Sequence, residues 1–167
     1  MSVISPLRIV IDTREQTPWS WEPSDAVTEI HGLAAGDYAL REDCERVKGR
    51  DSYAVRFAIE RKSLDDFLQT ISTGWERFQR ELIRMESFPA RVVIVEGDFR
   101  SVCFRELDDM LVPPEHDHVL LCPSCVARRV AELTLMGVSV LFCGDSQLAA
   151  GMAWRIFKRR VDSKINS

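Results

Sequence analysis

Apolar residues fall along this chain in two periods, and the switches between them predict the order of its elements. The β-branched run Leu7-Arg8-Ile9-Val10-Ile11-Asp12 reads as a first strand ending in an acid. Residues 27–33 read as a short strand or turn that leads into Gly36-Asp37-Tyr38. A polar run over 41–52, broken by Gly49, predicts the exposed turn of a hairpin, with 53–62 returning as one long strand. In that strand Tyr53, Val55, Phe57 and Ile59 alternate with Ala54, Arg56, Ala58 and Glu60. The period then lengthens. Ser63 is placed as an N-cap with Asp65 and Asp66 in the first turn, and Leu64, Phe67, Leu68 and Ile71 make an apolar helical stripe. After Thr73-Gly74 a second helix is predicted over 75–87, carrying Trp75, Phe78, Leu82 and Met85 on one face, with Pro89 as its stop.

Val92-Val93-Ile94-Val95, between Arg91 and Glu96, is an unbroken apolar run suited to the middle of a sheet. Residues 102–111 are expected to be helical and 112–118 a loop. Pro123-Ser124 opens a helix to about 136, Gly137 ends it, and 138–143 form another buried strand. A last helix is predicted over 147–161, with Lys158, Arg159 and Arg160 at the end its dipole favours. Helix-then-strand units after a β-hairpin predict an α/β fold with a mixed sheet and helices packed on its faces. There are no repeats or linkers, so residues 1–167 are expected to form one domain.

Composition narrows the class without naming an activity. A hydrophobic share of 46% and a charged share of 29% suit a globular chain with a sizeable core. The apolar runs are too short to cross a bilayer, and residues 1–6 lack the pattern of a secretion signal. A cytoplasmic protein with reduced cysteines is the expectation, and no membrane partner. The net charge of −4 argues mildly against coating DNA broadly. It is compatible with a local basic face, and with acids gathered around a divalent cation.

The chemistry concentrates between Gly36 and Asp66. Glu60 and Lys62 lie two residues apart on a strand, so both leave one face and Arg61 leaves the other. A carboxylate holding a hard cation beside a lysine facing phosphate is one use of such a pair, and Asp37 is placed to add a second carboxylate. The ordinary use of an isolated Glu-x-Lys is a solvated salt bridge. For Arg61, an ion pair with Asp65 or Glu15 stands beside a phosphate contact. Trp19 and Trp21 read first as covers for the core edge and second as base-stacking groups. His116, His118, Cys122 and Cys125 tempt a zinc assignment, but the His-x-His spacing is uncommon for a structural site and Pro123-Ser124 suits a helix start better.

Four motifs in order carry a family resemblance: Ile11-Asp12-Thr13-Arg14-Glu15, Gly36-Asp37-Tyr38, Glu60-Arg61-Lys62-Ser63-Leu64-Asp65-Asp66 and Val93-Ile94-Val95-Glu96-Gly97-Asp98. Together they resemble the XPF-type nuclease domain, whose signature is Gly-Asp, a variable gap, Glu-Arg-Lys, three residues and Asp. Arg77-Phe78-Gln79-Arg80 is similar to the family's next helix, and the pattern after Gly137 to compact bacterial and phage members. The resemblance covers the chain apart from 41–52 and 99–121.

It implies a restriction-endonuclease-like fold and metal-dependent endonuclease action on branched, flap or junction DNA. Mg²⁺ or Mn²⁺ is then expected on Asp37, Glu60 and Asp12, with Lys62 completing the catalytic set. Glu15, Arg14, Arg61 and Asp66 are expected in support, and Arg14, Arg61, Arg77 and Arg80 on DNA. It also implies a homodimer or an additional DNA-binding partner, because the helix-hairpin-helix module of longer relatives does not follow before Ser167. A non-catalytic DNA-binding or dimer-partner subunit is the alternative, which the intact Asp37, Glu60 and Lys62 disfavour.

Overall fold

In chain order the elements are β1 (Leu7–Ile11), β2 (Ala26–Ile30), β3 (Tyr38–Leu40), a 3-10 turn (Arg41–Asp43), β4 (Cys44–Arg46), β5 (Tyr53–Val55) and β6 (Ile59–Ser63). There follow α1 (Leu64–Ile71), α2 (Trp75–Arg84), β7 (Arg91–Glu96), α3 (Phe99–Cys103), β8 (Arg105–Leu107) and β9 (Met110–Val112). The chain ends with α4 (Pro123–Leu135), β10 (Val138–Phe142) and α5 (Ser146–Ile165). The structure is a computed structural model and describes residues 5–103, 105–107, 110–112 and 123–165.

Six strands form one mixed sheet in the order β10-β7-β6-β3-β1-β2. The β10, β7 and β6 strands run parallel, as the intervening helices require, and β3 is antiparallel to both β6 and β1. Alternation in β7 shows why the sheet is covered on both sides. Val92 and Ile94 join a layer with Ile9, Tyr38, Ile59, Ala149, Ala153 and Phe157, so α5 covers that face. Val93 and Val95 join Phe67, Leu68, Phe78, Leu82 and Leu133 from α1, α2 and α4 on the other. The expected α/β architecture with helices on both faces is the one found.

Local boundaries depart from the sequence reading in three places. The long strand over 53–62 is two strands, because residues 56–58 step from the small β4–β5 ribbon to the main sheet. Arg56 is held there by its amide on Asp43 O at 2.9 Å and its guanidinium on Glu42 O at 2.6 Å. The helix expected over 102–111 is replaced by the short α3 and the antiparallel pair β8–β9. Asp108-Asp109, a turn-favouring dipeptide, interrupts its apolar pattern. Lastly, α2 ends at Arg84, ahead of Pro89, and α5 continues to Ile165.

Candidate active site

The site is made where β3 and β6 begin to pair. Gly36 turns with φ +72°, and a Cβ there would stand 2.5 Å from Ala58 Cβ, so only glycine lets the two strands close. The amide of Asp37 then donates to Ile59 O at 2.9 Å, and its carbonyl accepts from Asp12 N at 2.8 Å. This fixes the Asp37 side chain beside Glu60. One Asp37 oxygen, Oδ2, accepts the Arg61 amide at 2.7 Å, and Lys62 Nζ donates to Glu60 Oε1 at 2.7 Å. Asp37 Oδ1 and Glu60 Oε2 have no protein partner among the described residues.

Two carboxylates in one recess disturb each other. Burial first, and then the charge of Glu60, push Asp37 up to about 8, against the Arg61 amide and Lys62, which favour its anion. Burial pulls Lys62 down, but the charge and hydrogen bond of Glu60, followed by Asp37, outweigh it and leave its pKa raised. The recess holds about 240 Å³ and is walled by Ala34, Ala35, Gly36 and Met85. Its charged lining is Asp37, Glu60 and Glu81 against Arg14, Lys62, Arg77 and Arg84. Arg77, Glu81 and Arg84 sit at i, i+4 and i+7 of α2, so one helix face roofs the acidic pair. The sequence reading does not single out Glu81 and Arg84; their i+4 and i+7 spacing from Arg77 is the signal that would find them.

Arg61 leaves β6 on the opposite face, as the strand period requires. Its side chain is 13% exposed and is held by Glu96 at 2.9 and 3.1 Å, Glu15 at 2.7 Å and Thr17 O at 2.7 Å. Trp19 closes this network, with Nε1 donating to Glu96 Oε1 at 2.5 Å and its ring stacked on Tyr38 at a centroid distance of 4.4 Å. The anticipated partner Glu15 is present; Glu96 takes the place considered for Asp65. Trp19 is buried, and Trp21 packs on the same core with its Nε1 on Ala150 O at 3.0 Å, so both rings cover the core edge.

Other expected positions have different surroundings. Asp12 is 1% exposed, with Oδ1 accepting from the Arg14 amide and guanidinium and Oδ2 from Leu33 N at 2.6 Å. Burial opposes its anion, but the Arg14 and Leu33 hydrogen bonds prevail and lower its pKa. Both oxygens are engaged, and no three His, Cys, Asp or Glu side chains group as a metal cage among the described residues. Asp12 therefore positions Arg14 at the recess, with both of its oxygens engaged by Arg14 and Leu33. Asp66 closes a reciprocal cap with Ser63, at 2.8 and 3.1 Å, on the solvent side of α1. Arg80 is exposed on α2 but does not line the recess. Of the His/Cys group only Cys125 lies among the described residues; His116, His118 and Cys122 lie outside them.

A sequence profile of the ERCC4 domain matches residues 11–153, which includes every residue of the recess. No curated protein matches the chain. Among solved structures, XPF from Aeropyrum pernix is similar at a TM-score of 0.56 and 20% identity, over 95% of this chain and 69% of that one. At that identity the likeness establishes the fold, a restriction-endonuclease-like sheet between helices, and the profile match establishes the kinship. The chain belongs to the ERCC4 domain family, the XPF-type nuclease domains.

Proposed function

We propose that this protein is a metal-dependent DNA endonuclease acting at branched, flap or junction DNA. The supporting observation is the pair of oxygens, Asp37 Oδ1 just before β3 and Glu60 Oε2 on β6, that line one recess without a partner among the described residues. Hard carboxylate oxygens with no protein donor fit Mg²⁺ or Mn²⁺, which are commonly held by one or two carboxylates together with water and substrate phosphate. When bound there, such a cation supplies charge neutralisation at phosphate and activation of water.

The chain's own residues do the rest. The Arg61 amide fixes the Asp37 carboxylate by taking Oδ2, so Oδ1 stays directed to the recess. Lys62 is kept cationic by its contact with Glu60 and offers its remaining N–H donors to a phosphate oxygen as negative charge builds there. Arg14, held by Asp12, and Arg77 and Arg84 on α2 ring the recess with positive charge for the DNA backbone. Arg61 and Glu15 act from the opposite face as a brace, so we assign DNA contact to Arg14, Arg77 and Arg84 at the recess and to the exposed Arg80 beside it on α2, and not to Arg61. A homodimer or an added DNA-binding partner would enlarge the grip.

The test is cleavage of end-labelled fork, flap and duplex DNA in Mg²⁺, Mn²⁺ or EDTA, beside Asp37→Asn and Glu60→Gln. Cutting of a branched substrate that needs the cation and falls at least about 100-fold in either variant is expected. DNA binding without cutting, in a folded protein with both cations, would establish the non-catalytic subunit instead.

A further inference from the structure

A second depression, of about 280 Å³, adjoins the acidic recess. It is lined by Gln69, Thr70, Thr73, Gly74 and Arg77, so Arg77 belongs to both. Its floor is the junction of α1 with α2. Gly74 is the N-cap of the ten-residue α2 and provides no side-chain cap. A Cβ at Gly74 would lie 3.1 Å from Thr70 Cα and 3.2 Å from Gln69 O, so glycine permits the close approach of the two helices. Phe78 N donates to Gly74 O at 3.0 Å and Trp75 N reaches Ser72 O only at 3.4 Å. The amides of Glu76 and Arg77 have no acceptor among the described residues. Such first-turn donors point out of the helix start, where the dipole favours an anion.

Thr70 is an independent sign of a ligand. It is 6% exposed, and its hydroxyl has no hydrogen-bond partner among the described residues. The neighbouring Ser72 hydroxyl, by contrast, turns back to Leu68 O at 2.8 Å. The Thr70 oxygen is also not one of the partnerless side-chain atoms sealed from solvent, so it opens onto the depression the residue lines. The hydroxyl on this otherwise buried residue, without a protein partner among the described residues and open to the depression, is left as a donor for a group seated there. Arg77, at the shared wall, adds a guanidinium that is 71% exposed and 3.7 Å from the Glu81 carboxylate.

We propose that this depression seats a phosphate of the DNA strand adjoining the one held over Asp37 and Glu60. The donors are the Glu76 and Arg77 amides, the Thr70 hydroxyl and the Arg77 guanidinium. The assignment rests on the nuclease reading and gives it a direction, since the bound strand passes from the acidic recess over the α1–α2 junction.

The experiment uses the full chain with Asp37→Asn to prevent cutting. Affinity for a fluorescent fork DNA is measured by anisotropy across a salt series, alone and with Thr70→Val or Thr73→Glu added. Thr70→Val exchanges the hydroxyl for a methyl group of similar size; Thr73→Glu sets a carboxylate at the mouth, on a helix start that tolerates acids, and urea melts check both folds. Amide NMR with inorganic phosphate, following Glu76 and Arg77, reads the seat without DNA. The expected results are affinity lower by about 5–10-fold for Thr70→Val and at least about 10-fold for Thr73→Glu, with a salt slope flatter by about 1. Saturable shifts of the two amides that Thr73→Glu abolishes are also expected. If the parent binds DNA and both variants bind it equally well, the seat is overturned while the nuclease reading stands. If the folded parent binds no DNA, both are overturned, and amide shifts that persist would mark an anion site with another use.

Discussion

At the residue scale, Asp37 and Lys62 should change stability in opposite directions. Asp37 and Glu60 share one recess, and Lys62 is hydrogen-bonded to Glu60 alone, so without metal the Asp37 anion is opposed by burial and by the charge of Glu60. In EDTA at pH 8, Asp37→Asn should stabilise the fold by about 1–2 kcal/mol, a rise in Tm of roughly 2–8 °C, while abolishing cleavage. Lys62→Met should destabilise the same metal-free protein by a similar amount, because it leaves two carboxylates with less compensation. Differential scanning calorimetry reads both; equal signs would show that charge crowding does not govern the site. The Glu60-x-Lys62 spacing and Gly36-Asp37 were legible in the sequence because a strand's two-residue period dictates which side chains share a face. The engagement of Asp12 was not, because its partner Leu33 N lies 21 residues away, and only folding supplies it.

At the element scale, two braces hold the sheet ends. Arg61 joins β6 to β7 and to the loop after β1 through Glu96 and Glu15. Arg61→Lys keeps the charge but loses the fork, so it should lower stability by about 1–3 kcal/mol in urea unfolding. Its DNA affinity and salt slope should stay near those of the parent; a loss of slope would make Arg61 a phosphate contact after all. The second brace ties α5 to the 3-10 turn. Asp43 is 1% exposed and accepts from Arg160 at 2.5 and 2.9 Å and Lys164 at 2.8 Å. Burial opposes the Asp43 anion, yet the Arg160 and Lys164 hydrogen bonds and charges hold its pKa below 3.8. A depressed carboxylate contributes stability that is fully present above its unfolded value and lost as pH falls through the folded one. Acid unfolding followed by circular dichroism should therefore begin at higher pH in Lys164→Ala than in the parent. Asp43→Asn should cost about 1–3 kcal/mol at pH 7 and flatten the acid limb. The hairpin with its turn expected over 41–52 was half legible: the returning strand from Tyr53 follows from local pattern, but β4 lies inside the expected turn and the break at 56–58 reflects anchoring to Glu42 and Asp43.

At the scale of the whole molecule, the last helix carries an apolar spot that the sheet does not cover. Phe157 is buried in the core, whereas Leu148 is 62% exposed and Met152, one turn on, 39%. The pair presents an apolar spot suited to a second copy, and light scattering after size exclusion should report a homodimer at micromolar concentration. Leu148→Glu with Met152→Glu should yield a monomer of unchanged Tm; a parent already monomeric removes the interface.

Outside 41–62 and 99–112 the sequence by itself determined the element order, and with it the α/β class, the family and the candidate trio Asp37, Glu60 and Lys62. Those depend on local periodicity, caps and short spacings, which are properties of neighbouring residues. Only the tertiary structure decided that Arg61 and Glu15 face away from the recess, that Asp12 is occupied by Arg14 and Leu33, and that α2 brings Glu81 and Arg84 over the carboxylates. Each of these depends on which strands pair and which helix face closes on them, contacts between residues far apart in the chain whose partners no local pattern specifies.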